Sequence, residues 1–143
     1  MTIEEQLRQD GFVLSLSVGV SMKPMLTQRT EQLLIEKLTA EPKVNDVVLF
    51  RRSTGQYVLH RVIRRTKEHY LIRGDNCYGV EKVHPQRIIG ILKGFYKGDK
   101  FIDCETDKAY RCYIALWRLS YPLRFAAHQC LRPIRKAISM LRR

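Results

Sequence analysis

Apolar side chains recur along this chain first with the period of a helix, then with that of strands, and at the end with the helical period again. Thr2-Ile3-Glu4-Glu5 fits a capping box and Gly11 a helix stop, so residues 2–10 read as one short helix. Phe12, Leu14, Leu16 and Val18 then alternate with Val13, Ser15 and Ser17, the pattern of a strand. Residues 19–28 hold Gly, two Met and Pro24 and read as a loop, while Gln32 to Leu38 fits a helix or a strand. Val47 to Arg52 reads as a strand, Ser53-Thr54-Gly55 as a turn, and Tyr57 to Arg65 as the returning arm of a hairpin. His69 to Arg73 is a third strand candidate ending at Gly74-Asp75-Asn76, the segment to Gln86 reads as loop, and Arg87 to Tyr96 is again strand-like, followed by a turn at Gly98-Asp99.

From about Tyr110 the spacing turns helical. Ile114, Trp117 and Tyr121 fall on one stripe and Arg111 and Arg118 on another, with Pro122 expected to end the helix. After Pro133, Ile134, Ile138 and Leu141 repeat at i, i+4, i+7, and Arg135, Lys136, Arg142 and Arg143 stay off that line. The expected fold is mainly β: a β-rich domain over residues 1–107 with a short N-terminal helix, then a basic amphipathic helical tail over residues 108–143.

Charge sharpens that division. The 143 residues carry a net charge of +12, and all 14 acids lie at or before Asp107, so residues 1–107 hold a surplus of only +3 while the rest hold nine basic side chains and no acid. An anionic partner for the tail is implied, and a basic amphipathic helix with an aromatic suits an anionic membrane surface better than nucleic acid, for which no recognition motif is present. The alternative is that these faces pack on the β-domain and the arginines are merely solvated. The longest run without a charged side chain, Gly11 to Met22, is twelve residues, too short for a spanning helix, and the polar first ten residues do not resemble a secretory signal. A peripheral membrane location on the cytoplasmic face is therefore expected. Cys77, Cys104, Cys112 and Cys130 show no C-x-x-C spacing, so reduced thiols are expected, with no metal, disulfide framework or cofactor.

Three short stretches carry candidate chemistry. Gly19-Val20-Ser21-Met22-Lys23-Pro24-Met25-Leu26 directly follows a strand, where a serine can offer its hydroxyl and its backbone N–H to one incoming carbonyl. In Leu59-His60-Arg61-Val62, alternation puts His60 on the face of Val58 and Val62, an imidazole where an apolar side chain is expected. Gly74-Asp75-Asn76 follows, with Glu81 six residues after Asp75. Each has an ordinary reading as loop, core or turn residues. His69, His84 and His128 lie outside these stretches and read as ordinary surface or core residues.

In order, however, the blocks Gly19 to Leu26, Asp46 to Phe50, His60 to Val62 and Gly74 to Asn76 resemble the signal peptidase I family, membrane-associated serine endopeptidases, and their relatives the self-cleaving phage-type repressors. The resemblance covers roughly residues 12–95, about 60% of the chain. It implies a coiled β-sheet domain with Ser21 as nucleophile, part of the oxyanion hole supplied by its own N–H, and His60 as base where bacterial members usually carry lysine. Histidine there is the pattern of the endoplasmic-reticulum, archaeal and sporulation-type enzymes, and an imidazole is ready near neutral pH without the large pKa shift that lysine needs. Lys23, closest in sequence to Ser21, sits at a variable position of the motif. Either Asp75 or Glu81 would orient His60; Asp75 is favoured, Glu81 standing where aspartate is usual. Gly19, Met22 and Pro24 would belong to the substrate-binding side.

The implied function is cleavage of leader or signal peptides of exported proteins or peptides. The alternatives are a non-catalytic membrane-surface module on the same fold and a self-cleaving regulatory protease. The usual N-terminal anchor is not found before these blocks, and ten residues are too few for a helix-turn-helix.

Overall fold

The computed structural model describes residues 1–27 and 29–142. Thr2 caps the first helix, α1 (Ile3–Asp10), through a complete capping box with Glu5, and Gly11 ends it with φ 81°, the left-handed conformation that a glycine adopts without a Cβ clash. Eight strands follow: β1 (Phe12–Leu16), β2 (Gln32–Glu36), β3 (Val47–Arg51), β4 (Tyr57–Arg65), β5 (Tyr70–Arg73), β6 (Glu81–Val83), β7 (Ile88–Lys97) and β8 (Lys100–Asp103). They form one antiparallel sheet in the order β1-β2-β7-β3-β4-β5-β6, with β8 pairing β7. The ambiguous segment from Gln32 is thus a strand, and the stretch expected as loop before Gln86 contains the short edge strand β6.

The sheet carries a core on each face, and β3 divides between them with the two-residue period of a strand. Val47 and Leu49 join Leu7, Val13, Leu33, Leu92 and Phe95. Val48 and Phe50 turn to the other side, with Val58, Val62, Ile72 and Ile88. On the edge strand β1 the alternation is real: Val13 is buried, and the apolar row Phe12, Leu14 and Leu16 is exposed, as is Val18 just beyond it. The polar Ser17 is buried instead, because its hydroxyl donates to the Thr27 carbonyl and its backbone N–H to the Glu31 carbonyl.

The chain ends in α2 (Lys108–Leu119) and α3 (Tyr121–Leu141). Asp107 caps α2 by accepting from the Tyr110 N–H. Two sequence expectations need correction here. Pro122 starts a helix instead of ending one, sitting in the first turn of α3 where a missing N–H costs nothing, and Pro133 lies inside that helix. Nor is residue 107 a clean boundary: Tyr110 is buried in the first core, with Tyr113 and Ile114 packed against it, so α2 completes the β-domain. No helix among the described residues is long and apolar enough to cross a membrane.

Candidate active site

The segment between β1 and β2 is clasped at its base. Thr27 N–H and Thr30 Oγ1 donate to the buried Glu31 carboxylate at 2.8 and 2.7 Å. Burial alone would raise the Glu31 pKa, but these hydrogen bonds outweigh it and hold it below the usual glutamate value. Met22, Met25 and Leu26 anchor the same segment in the core. Ser21 thereby stands half-buried at the start of a turn that three apolar anchors hold from behind.

The Gly74–Cys77 turn is tied directly to it. Asn76 N–H donates to the Ser21 carbonyl at 2.7 Å, Asn76 Nδ2 to the Val20 carbonyl at 3.1 Å, and Asp75 N–H to Met22 Sδ at 3.4 Å. Gly74 occupies the point where these pieces meet. A Cβ there would lie 2.6 Å from the Ser21 carbonyl oxygen and 3.0 Å from His60 Nε2. The turn bearing Ser21 and the imidazole of His60 therefore approach across a gap that only a glycine leaves open. We expect Gly74→Ala to push the turn away from His60, lowering stability by about 1–3 kcal/mol, as overpacking against backbone does. Thermal unfolding of the variant checks this; an unchanged melting temperature would mean the two segments are not held this close.

His60 lies on β4 with its ring edge-on to Phe50 and is 5% exposed. Its face is set by alternation with Val58 and Val62, as the sequence predicts. Across the sheet Val62 pairs with Ile72 and Ile72 with Glu81, which carries Glu81 onto the same face. Glu81 Oε1 lies 3.5 Å from His60 Nδ1, and that nitrogen is buried without a hydrogen-bond partner among the described residues. Glu81 is itself held by Arg52, whose Nε and Nη2 donate to its two oxygens at 2.9 and 2.5 Å, and this pairing keeps the Glu81 pKa below the usual range. Burial lowers the His60 pKa below its ordinary 6.5; Glu81 works against that shift and Arg52 with it. The imidazole is thus neutral at pH 7, the form that can accept a proton.

Asp75, favoured over Glu81 on sequence, is engaged elsewhere. Its carboxylate accepts Arg61 Nε at 2.8 Å, Arg61 Nη2 at 2.7 Å and the Tyr113 hydroxyl at 2.8 Å, while its backbone carbonyl accepts Trp117 Nε1 at 2.8 Å. Arg61 follows His60 on β4 and so points to the opposite face, where its guanidinium also donates to the Tyr110 hydroxyl. Asp75 therefore fastens the turn that holds Ser21 to β4 and α2, and the carboxylate facing His60 is Glu81. No local pattern marks Arg52, Tyr113 or Trp117 for these roles. Only the helical stripe of Ile114, Trp117 and Tyr121 marks a face that packs on something.

Ser21 and His60 both line a cleft of about 550 Å³ between β1 and the start of β4. Gly19, Met22, Leu16, Val18 and Leu26 give it apolar walls, and Pro24 is exposed and outside the lining. The Oγ and backbone N–H of Ser21 engage no hydrogen-bond partner among the described residues, and no hydrogen bond joins that Oγ to His60. Cys77 also borders the cleft, its Sγ 4.0 Å from the Ser21 carbonyl oxygen, but burial raises its pKa and keeps it the less nucleophilic thiol. Lys23 is exposed, while His128 stacks on Tyr78 with ring centroids 4.1 Å apart.

Compared with known proteins, the chain matches no family model and no curated protein. What the site can do rests on its own geometry and on the motif blocks that frame it.

Proposed function

We propose that this protein is a serine endopeptidase of signal-peptidase type, cleaving a leader or signal peptide of an exported product by a Ser/His mechanism. The observation that carries the reading is the meeting at Gly74 of the Ser21 turn and His60 Nε2, inside an apolar cleft, with a carboxylate behind the imidazole. Ser21 Oγ attacks the scissile carbonyl as His60 Nε2 takes its proton, and the Ser21 N–H, which has no partner among the described residues, donates to the developing oxyanion. His60 then returns the proton to the leaving amine as the C–N bond breaks, and water, deprotonated by the same imidazole, hydrolyses the acyl-enzyme. Glu81 stabilises the imidazolium and favours the tautomer with hydrogen on Nδ1. A nucleophile–base hydrogen bond that is absent before substrate binds can form once substrate is in place.

The cleft suits an extended chain. β1 is an edge strand, and residues 57–60 of β4 pair only with β3, because pairing with β5 begins at Arg61. A peptide laid between these two free edges would bind by β-addition, its side chains in the apolar walls.

The test is a peptide library incubated with the full chain, with and without vesicles, read by mass spectrometry. Cleavage by wild type that Ser21→Ala abolishes is the expected result. No cleavage by wild type under either condition would overturn the reading and leave a binding module. Shortening of the chain itself, absent in Ser21→Ala, would make it a self-cleaving protease instead.

The pH profile supplies a further prediction. Activity is lost as pH falls through the His60 pKa, which lies below 6.5. In Glu81→Gln the upward influence on His60 disappears while Arg52 keeps its charge, so the acid limb of kcat/KM moves to lower pH. The rate on the plateau falls on the order of 10²-fold as the imidazolium loses its counter-charge. A limb that moves upward would contradict the assignment of Glu81.

A further inference from the structure

The two terminal helices present opposite faces to different surroundings. Toward the body, α2 sends Tyr113 and Trp117 to Asp75, and the first turns of α3 send Tyr121, Phe125 and His128 to Tyr78. Arg73 lies over the Tyr121 ring at 3.6 Å and Arg124 over the Trp117 ring at 3.7 Å, so this contact is pinned by cation–π interactions as well as by stacking. At 3.6 residues per turn, the body-facing positions of α3 continue after His128 as Arg132, Arg135 and Lys136, which are exposed.

The other face is apolar and uncovered. Leu116 and Leu119 of α2, then Leu123, Ile134, Ile138 and Leu141 of α3, are between 48% and 87% exposed. They form a near-continuous stripe, because Ser120, itself right-handed helical at φ −77° and ψ −9°, joins the two helices. Hydrogen bonds from the Ser120 N–H to the Leu116 carbonyl and from the Arg124 N–H to the Ser120 carbonyl, both 3.0 Å, carry the helical pattern across the joint. A soluble helix normally turns such a stripe onto its own domain. Here the domain holds the opposite side, which leaves the stripe for another occupant.

Charge identifies that occupant. Residues 108–142 contain eight Lys and Arg and no acid. Two copies meeting stripe to stripe would add a second set of like charges to one assembly, with no acid in this segment to offset them. A surface that is apolar beneath and anionic at its rim matches both features, since arginine and lysine stems can lie along the helix while their heads reach phosphate groups. We infer that α3, continued by the outer face of α2, lies flat on an anionic lipid bilayer, the stripe sunk among the acyl chains and the basic side chains on the headgroups. The inference is independent of the chemistry at Ser21. Each exposed cation near such a surface adds attraction that salt screens.

The experiment uses the full chain and flotation with two vesicle types, phosphatidylcholine alone and phosphatidylcholine with a quarter phosphatidylglycerol. Wild type is expected to float with the anionic vesicles at least about tenfold more tightly than with the neutral ones, and to be released by salt. The stripe variant Leu123→Ser/Ile134→Ser/Ile138→Ser alters only exposed side chains, so its circular dichroism and melting temperature stay those of wild type. Its affinity for anionic vesicles falls at least about tenfold. Arg132→Gln/Arg135→Gln/Lys136→Gln weakens binding too and flattens its salt dependence. The inference is overturned if wild type does not float with anionic vesicles at low salt, or if the stripe variant binds as well as wild type. It is equally overturned if wild type sediments as a dimer that the stripe variant dissolves, since a second copy then covers the stripe.

Discussion

Asp75→Ala is expected to cost about 3–5 kcal/mol of folding stability, the price of breaking a buried ion pair from one side. Arg61 is 2% exposed and Asp75 6%, so the guanidinium left behind has neither a counter-charge nor water. The Tyr113 hydroxyl loses its acceptor in the same step. Against a total of about 5–15 kcal/mol for a typical domain, this is a large fraction. Urea unfolding of the two proteins measures it. The signature of a buried pair lies in the double variant Arg61→Met/Asp75→Leu, which should recover much of the loss because apolar replacements remove both charges together. A loss below about 1 kcal/mol in Asp75→Ala would mean that the pair behaves as an exposed one.

The second large effect falls on catalysis. With Ser21 as nucleophile and His60 as its base, His60→Ala is expected to lower kcat on the order of 10⁴-fold or more, comparable to Ser21→Ala, since either loss disables the same step. His60 is not itself a member of the second core cluster; the substitution removes the edge-on packing of its ring on Phe50 but no apolar member of that core. A folded, inactive His60→Ala is therefore the expected outcome, with circular dichroism as the check on folding.

The elements readable in the sequence were those whose evidence is local. α1 was marked at both ends by side-chain chemistry, through Thr2 and Glu5 at its start and Gly11 at its stop, and the β3–β4 hairpin by alternation around Ser53-Thr54-Gly55. The burial of His60 followed from alternation alone. What failed was the assignment of faces and partners. On β1 alternation marks a strand but not its buried side, and Ser17 is buried because hydrogen bonds from a distant turn satisfy it. β6, only three residues long, is too short for any period to register. The choice between Asp75 and Glu81 depended on Arg61 and Arg52, and nothing local shows that one guanidinium takes the first carboxylate on one face while the other turns the second toward His60 on the opposite face. Pro122 reads as a helix stop in sequence, but it lies in the first turn of α3.

A double-mutant cycle on peptide cleavage tests the Ser21–His60 partnership most directly. Ser21→Ala, His60→Ala and the double variant are compared with wild type on one cleaved peptide. If the hydroxyl and the imidazole act as a unit, the double variant is no slower than either single one. Losses that multiply, or a His60→Ala protein that still cleaves at the wild-type rate, would contradict it.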